Sequence, residues 1–182
     1  GAADPHWDIT NSPGGPVGDA TVQNNHPAWL ANDAAGTVGG TSWISTVAGG
    51  QTPIAEGDYV FAQTFNLNGF DPDTAVLALE LAVDNSVSDI LLNGNSTGIS
   101  HSGFADFSGV FEIDSGFVGG ENTIEFLMTN AGNAPGPGGL RVNFLQATAT
   151  VIPEPASIAI WSLIGLGCAG FGWLRWKKQR AA

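Results

Sequence analysis

Residues 57–67 read Gly-Asp-Tyr-Val-Phe-Ala-Gln-Thr-Phe-Asn-Leu, and this stretch decides the fold class. One face of the extended chain carries five of its residues: Tyr59, Phe61, Gln63, Phe65 and Leu67. The opposite face carries Val60, Ala62 and Thr64. Because successive side chains of a β-strand point to opposite sides, this alternation predicts a strand with one face in a hydrophobic core.

Similar short patterns flank this strand in both directions. Further strands are predicted at 6–12 (an edge strand), 41–47, 74–83, 87–92, 97–100, 110–113, 122–129 and 140–151. Asn93-Gly94 is a strong hairpin signal, Asp84-Asn85 indicates a turn, and 17–40 lacks a clear period. No window before Pro153 has a helical period. The sequence therefore predicts an all-β domain over 1–150, folded as a jelly-roll-like β-sandwich.

The C-terminal part has a different composition. Residues 156–174 are 19 residues without a charge, which as a helix would span about 28 Å, close to a bilayer's hydrocarbon core. The basic tail, 175–182, contains Arg175, Lys177, Lys178 and Arg180. The positive-inside rule then places this tail in the cytoplasm and the β domain on the other side. The alternative, a buried core helix, does not explain the basic cluster.

The linker between domain and helix, 151–155, contains the string Pro153-Glu154-Pro155. Together with a single span and a short basic tail, this string resembles the PEP-CTERM sorting signal of exported bacterial proteins. The resemblance implies passage through the bacterial inner membrane, a periplasmic β domain, and recognition by an exosortase that cuts near Pro-Glu-Pro. It concerns only the last thirty residues and assigns no activity.

A second resemblance covers residues 57–144. Its strings include Gly69-Phe70-Asp71-Pro72, 89–94 (Asp-Ile-Leu-Leu-Asn-Gly), 121–124 (Glu-Asn-Thr-Ile) and 139–142 (Gly-Leu-Arg-Val). These are similar to the galactose-binding-like jelly-roll modules found in many exported bacterial proteins. The resemblance implies the fold. Such modules bind sugars, bind calcium or serve only in packing, so the function stays open.

Charge and cysteine content limit the partners. Residues 1–155 hold all 17 acidic side chains and only one basic one, Arg141, which leaves a net charge of -16. An acidic domain repels nucleic acid, so no nucleic-acid partner is expected, whereas divalent cations or basic surfaces are compatible. The single cysteine, Cys168, lies in the predicted span, so no disulfide stabilises the β domain.

Calcium is the one metal that the composition favours. Oxygen ligands suited to this ion occur in one part of the chain: Asp71, Asp73, Asp84, Asn85 and Asp89. Asp and Asn are also ordinary turn residues, which is the alternative reading. His6, His26 and His101 are far apart in sequence and do not form a zinc-ligand pattern. No cofactor other than calcium is predicted.

The predicted span has a face of small residues: Gly165, Cys168, Ala169 and Gly172. Gly165 and Ala169 are four residues apart, a spacing that lets another transmembrane helix approach closely. The bilayer and the helices of a membrane complex are therefore expected partners. Small residues are also common in spans without a partner.

Catalysis has little support in the sequence, and we predict that the chain is not an enzyme. No nucleophile-elbow string is present, and Glu112 and Glu125, a pair of acids that a glycosidase would need, fall within predicted strands. Sugar binding requires exposed aromatic rings beside polar groups, for which the candidates are Trp7, Trp29, Trp43 and Tyr59. Core packing is the alternative for each ring.

These observations lead to two functional hypotheses. The first is a non-catalytic structural or interaction module, anchored on the periplasmic face of the inner membrane as an accessory subunit of a larger complex. The second is an exosortase-processed extracellular-matrix protein that binds polysaccharide through loops near Asp84 and Asn93, with help from calcium.

Overall fold

The computed structural model describes residues 1–15, 17–34, 37–153, 164 and 166. Ten strands follow in chain order: β1 (Ala3–Asn11), β2 (Gly18–Val22), β3 (Ile44–Ser45), β4 (Gly57–Asn66), β5 (Phe70–Leu92), β6 (Asn95–Ser96), β7 (His101–Gly103), β8 (Phe111–Ile113), β9 (Glu121–Asn130) and β10 (Gly139–Val151). Helical geometry among the described residues is confined to Ile164 and Leu166. The prediction of an all-β domain is therefore confirmed for the part of the chain that the structure describes.

The strands form a hydrogen-bonded circuit. Their order is β10-β3-β2-β1-β4-β9-β5-β6, and β5 also pairs with β10, so the path returns to its starting strand. Every pair of defined register is antiparallel, as a jelly-roll-like fold requires. β5 and β9 have partners on both sides, whereas β1 covers β4 only at residues 60–62 and β3 covers β10 only at Leu140. Two-sided pairing satisfies the backbone of the central strands and protects their edges.

Strands β4 and β9 form the most regular part of the sheet. Their register runs without interruption from the pair Gly57↔Asn130 to the pair Asn66↔Glu121. The inward positions carry the core, where Tyr59, Phe61, Phe126 and Met128 are buried. The strands predicted at 57–67 and 122–129 are confirmed, because the period of two follows from burying one face.

Strand β5 corrects the sequence prediction. Two strands, 74–83 and 87–92, were expected on either side of an Asp84-Asn85 turn, but the chain continues as one strand of 23 residues. Its first half pairs with β8 and its second half with β9, and its pairing with β7 shifts register between Val83 and Ser86, around Asp84. The polar side chains at this point bond to other segments instead of closing a turn: Asp84 accepts from Trp29, and Asn85 accepts from the Ala131 amide.

The N-terminal region also differs from expectation. The edge strand predicted at 6–12 is β1, but it lies between β2 and β4 and is not an edge. Its partner β2 falls inside 17–40, for which no strand was predicted. The five residues Gly-Asp-Ala-Thr-Val are too short and too polar to show a period, and their strand form depends on pairing with β1.

The hairpin predicted at Asn93-Gly94 is confirmed. Leu92 pairs with Asn95, so the loop contains two residues, and their φ angles are 52° for Asn93 and 76° for Gly94. Two consecutive positive φ values define a type I′ turn, the turn that Asn-Gly favours.

The chain divides into two compact units, Gly1–Thr150 and Val151–Ala182. Of the second unit, the structure describes residues 151–153, 164 and 166. The described residues contain no helix that is long and apolar enough to span a bilayer.

Candidate functional site

A groove of about 340 Å³ lies beside β1, β4 and β10. Its aromatic walls are Trp7 and Phe144. Its polar lining comes from three strands and one loop: Asp4, His6, Gln63, Asn143, Thr41 and Ser42. The loop 39–42 forms the remaining wall, where Gly39 and Gly40 leave the backbone without side chains.

A break in strand register brings Trp7 to this groove. Asp4 pairs with Ala20 and Asp8 pairs with Asp19, so four steps along β1 correspond to one step along β2. Residues 5–7 therefore have no partner on β2, and the strand bulges locally. This bulge places His6 and Trp7 against the groove instead of within a regular ladder.

Trp7 is half-buried and contacts the core on one side. Its ring meets Phe126 edge-on at 5.5 Å between centroids and lies nearly parallel to Phe144, at 6.2 Å with an interplanar angle of 11°. These contacts fix the orientation of the indole while part of it still lines the groove. A fixed aromatic ring beside polar groups is the usual composition of a small-molecule site.

The polar groups of the groove differ in how they are held. Asn143 donates from Nδ2 to Glu80 Oε1 at 2.8 Å, which fixes its carboxamide. Asp4 accepts from the His6 amide at 3.0 Å. No side-chain hydrogen bond to another described residue occupies the carboxamide of Gln63 or the hydroxyl of Ser42. Both groups are therefore positioned to bond a ligand.

Arg141 holds the loop wall of the groove. Its guanidinium is buried and donates from Nε to Thr41 Oγ1 at 2.9 Å and from Nη1 to the Ala31 carbonyl, and Nη2 lies 3.0 Å from Asp33 Oδ2. The guanidinium also lies 4.9 Å from the ring centre of Phe107. The only basic residue of 1–155 thus connects β10 to the loop that carries Thr41.

Asp33 completes this arrangement. Its Oδ2 accepts a 2.7 Å hydrogen bond from the Thr41 amide, and this bond is the main cause that lowers the pKa of the carboxyl. Desolvation of the carboxyl raises the pKa of Asp33, but the charge and hydrogen bond of the Arg141 guanidinium lower it further, so the net shift is downward. A carboxylate is therefore kept charged next to the loop, where it holds Asp33 to Thr41.

A second cavity, of about 360 Å³, adjoins the groove and is mostly apolar. Gln63 and Phe144 line both cavities. Its floor consists of buried core residues, Ala75, Leu77 and Ile124, and its walls include partly exposed phenylalanines. We call this cavity the apolar cleft.

A third, open cavity lies beside β7 and is lined by His101, Val87 and three serines: Ser86, Ser100 and Ser102. Burial lowers the pKa of His101, and its Nε2 atom is buried without a hydrogen-bond partner in the described part of the chain. The described acids do not orient the imidazole through any hydrogen bond to Nδ1. The arrangement therefore lacks the third member of a Ser-His-Asp triad.

The structure separates the aromatic sugar-binding candidates into two groups. Trp29 and Trp43 are core residues, with ring centroids 4.4 Å apart. Tyr59 is also buried; its hydroxyl donates to the Ala55 carbonyl, and burial raises its pKa. Core packing is therefore the correct reading for these three rings. Trp7 alone among the four lines a groove that also holds polar groups.

The five predicted calcium ligands lie on one strand instead of meeting at strand ends. Asp71 and Asp73 lie at the start of β5, and Asp84 follows Asp73 by eleven positions, about 36 Å of extended chain. Three of these carboxylates already accept hydrogen bonds within the protein. Asp71 accepts from the Asp73 amide, Asp84 from Trp29 Nε1 at 2.9 Å, and Asp89 from the Gly98 amide. Among the described residues, no group of three or more His, Cys, Asp or Glu is placed to hold a metal ion. Calcium binding therefore stays a prediction, and the described residues do not bring its proposed ligands together.

Asp84 is the most unusual of these acids because it is buried. Desolvation raises its pKa, whereas the hydrogen bond from Trp29 and the charge of His26 act in the opposite direction. The ring of His26 lies 5.1 Å from that of Trp29. Asp84 therefore secures the loop carrying Trp29 to β5, which is a structural role.

The remaining residues singled out from the sequence are the acidic pair, the sorting motif and the helix-packing residues. Glu112 is exposed on β8 and Glu125 is half-buried on β9. Pro153 is exposed and follows the end of β10. The remaining sorting and helix-packing residues lie outside the described residues: Glu154, Pro155, Gly165, Cys168, Ala169, Gly172, Arg175, Lys177, Lys178 and Arg180.

Most groove residues were not identified from the sequence, among them Gln63, Asn143 and Phe144. A signal existed for Gln63, because it occupies the inward face of β4 between Phe61 and Phe65. A carboxamide among core positions is costly unless it meets a polar partner or a cavity. Asn143 and Phe144 had no comparable signal, since their role depends on the approach of β10 to β1.

The fold and site together define an all-antiparallel β domain with an aromatic groove on its surface. In comparisons with known proteins, no family model and no curated protein matches the chain. Among solved structures, the chain is similar to a CBM35 module from Paenibacillus barcinonensis, with a TM-score of 0.43 and 16% identity over 81% of this chain and 96% of that one. It is also similar to a family 35 carbohydrate binding module from an environmental isolate, with a TM-score of 0.37 and 13% identity over 83% and 97% of the two chains.

Proposed function

We propose that residues 1–150 form a non-catalytic glycan-binding domain, with the sugar held in the groove beside Trp7. The observation that carries the proposal is the composition of that groove. One oriented indole lies beside carboxamide, hydroxyl, imidazole and carboxylate groups from three strands and a loop. Apolar ring faces and dense hydroxyl groups are what a sugar presents, and this lining complements both.

The charge of the domain narrows the ligand class. Residues 1–155 carry a net charge of -16, and Asp4 lies in the groove itself. A polysaccharide rich in carboxylates or sulfates would be repelled by this field. The proposed ligand is therefore a neutral polysaccharide.

The proposal includes the cellular setting that the C-terminal sequence supports. The Pro153-Glu154-Pro155 string, the uncharged stretch 156–174 and the basic residues after it favour an exported protein held at the outer face of a bacterial inner membrane. An exosortase would act at this segment. If the segment is retained, the protein presents its groove at the membrane; if it is cut, the domain acts in an extracellular matrix.

The binding test is calorimetric titration of the purified full chain, held in amphipol, with neutral and uronate-containing oligosaccharides. Trp7→Ala should weaken binding at least tenfold, equivalent to about 1.4 kcal/mol, the range expected for a central aromatic contact. Because Trp7 also packs on Phe126, His6→Ala serves as a second variant in the same unpaired segment without a core contact. Phe104→Ala, at an exposed ring outside the groove lining, is the matched control.

Failure of every neutral glycan to bind would contradict the proposal. Equal effects of Trp7→Ala and Phe104→Ala on glycan affinity would also contradict it, provided that both variants keep the melting temperature of the parent. Preference for acidic over neutral oligosaccharides would contradict the charge argument.

A second candidate is an accessory subunit of a membrane complex, for which the observation is the four-residue spacing of Gly165 and Ala169. Intact-mass analysis of membrane and medium fractions, with native-gel sizing, separates the two settings. A chain that retains residues 156–180 and migrates in a large assembly favours the subunit, and Gly165→Leu should then reduce co-purification of its partners. A chain that ends near Pro153 in the medium favours the matrix protein.

A further inference from the structure

The groove and the apolar cleft are neighbours but chemically different. Gln63 and Phe144 line both cavities, which places their linings side by side. The groove offers six polar side chains. The residues lining the cleft, all within the described range 63–149, carry no charge and include only three polar side chains: Gln63, Asn66 and Thr148.

The walls and floor of the cleft are formed mainly by apolar side chains. Four phenylalanines line it: Phe65, Phe70, Phe117 and Phe144. Phe65 and Phe117 meet edge-on at 6.2 Å between centroids, and Phe70 is 37% exposed at the rim. A sugar placed here would lose water from its hydroxyls and find few partners, which is unfavourable. An alkyl chain would bury apolar surface without that penalty.

The strands that form the cleft are paired on one side only at this level. β1 pairs with β4 at residues 60–62 and β3 pairs with β10 at Leu140, so Gln63, Phe65 and Phe144 lie beyond both pairings. A peptide that added a strand here would bind independently of alkyl chain length, which the titration below distinguishes from the proposed ligand. The volume of about 360 Å³ lies at the small end of ligand sites, which suits one short chain.

We propose that the apolar cleft holds the alkyl or acyl chain of an amphiphilic glycan whose sugar lies in the groove. The inference rests on the proposed function and specifies its substrate class: a neutral glycan that carries an acyl or alkyl group. Gln63 and Phe144 then mark the junction between the polar and apolar parts of the ligand.

The test compares methyl, butyl and hexyl glycosides of one neutral sugar, with hexanol as the probe without sugar, titrated into the full chain in amphipol. Each added methylene should tighten binding about fourfold until the cleft is full, the equivalent of about 0.8 kcal/mol per buried methylene. Titration of the same glycosides into amphipol without protein measures how much alkyl glycoside partitions into the amphipol, and this signal is subtracted. A diazirine on the terminal carbon of the hexyl glycoside should crosslink to residues of the cleft.

Ala147→Trp fills the cleft from an exposed position on β10, where a larger side chain does not enter the core. It should abolish the dependence on chain length and leave binding of the methyl glycoside unchanged. Ala131→Trp, also exposed but outside the cleft lining, is the control.

The outcomes separate the two proposals. Methyl glycoside binding with no gain from longer chains would overturn the apolar cleft and leave the glycan site standing. Hexanol binding as tightly as the hexyl glycoside would overturn the amphiphile proposal, since the sugar would then add nothing. If the methyl glycoside also failed to bind, the glycan site would be overturned as well. Self-association that hexyl glycoside competes away would assign the cleft to a second copy of the chain and also overturn the proposal.

Discussion

Replacing Arg141 with methionine should destabilise the β domain by about 2 kcal/mol. The change removes a guanidinium that is 1% exposed and keeps much of the aliphatic stem. Two hydrogen bonds to neutral acceptors disappear, those to Thr41 Oγ1 and the Ala31 carbonyl. Each contributes about 1 kcal/mol net, and neither acceptor is deeply buried, so water can replace part of the loss.

The ion pair with Asp33 should contribute little to this cost. The Asp33 side chain is 43% exposed, and pairs with one solvated partner are weakened by water and salt. Asp33→Asn keeps an oxygen that can accept from the Thr41 amide. In a double-mutant cycle, the coupling between Arg141→Met and Asp33→Asn should therefore be the smaller part of the total effect.

Urea unfolding of the full chain, followed by the strand signal in circular dichroism, measures these energies. A loss of about 2 kcal/mol should lower the melting temperature by roughly 4–8 °C for a domain of this size. Glycan binding should also weaken, because Thr41 lines the groove. A coupling energy larger than half the cost of Arg141→Met would refute the reasoning, since it would make the exposed ion pair the dominant contact.

Three further predictions test other parts of the structure. Asp84→Asn should gain stability relative to the parent as pH rises from 3.8 through the raised pKa of Asp84, because the folded parent favours the protonated acid; a pH-independent difference in urea unfolding would exclude burial as the cause. Gly94→Ala should cost about 1 kcal/mol because its φ is 76°, whereas Gly109→Ala, which meets no atom within 4 Å, should be near neutral in the same assay. Added calcium tests the predicted calcium site, because an ion that binds only the folded domain raises its melting temperature; a rise that Asp84→Asn removes would support the site, and no rise would contradict it.

The parts of the fold that the sequence predicts are those where burial alternates along the strand. β4 and β9 follow the period of two, and the Asn93-Gly94 turn has a chemical requirement for positive φ that two residues satisfy. The misreadings occur where long-range contacts decide. β2 has no pattern of its own, and Asp84 resembles a turn residue until Trp29 supplies its hydrogen-bond partner.

The candidate site is less predictable for the same reason. Trp7 was among the aromatic candidates, and its neighbours His6 and Asp8 are polar, whereas those of Trp29 are Ala28 and Leu30. This local difference does not by itself place the Trp7 ring in a groove. Its position there arises from the register break between β1 and β2, a property of two strands together. Phe144 lines the groove only because β10 approaches β1.

The position of both cavities follows from where the core ends along β4. Tyr59 and Phe61 are fully buried, whereas the next inward residues, Gln63, Phe65 and Leu67, are only partly buried. Completing the core here would stabilise the domain by about 1.5–3 kcal/mol for each large apolar side chain fully covered. The aromatic pair at this end, Phe65 with Phe117, is itself only partly buried, and residues 1–150 contain no cysteine that could form a stabilising disulfide. A ligand that covered Phe65, Phe117 and Phe144 would supply that missing burial, which is the physical reason to expect binding at this end of β4 and not at the exposed acidic turns.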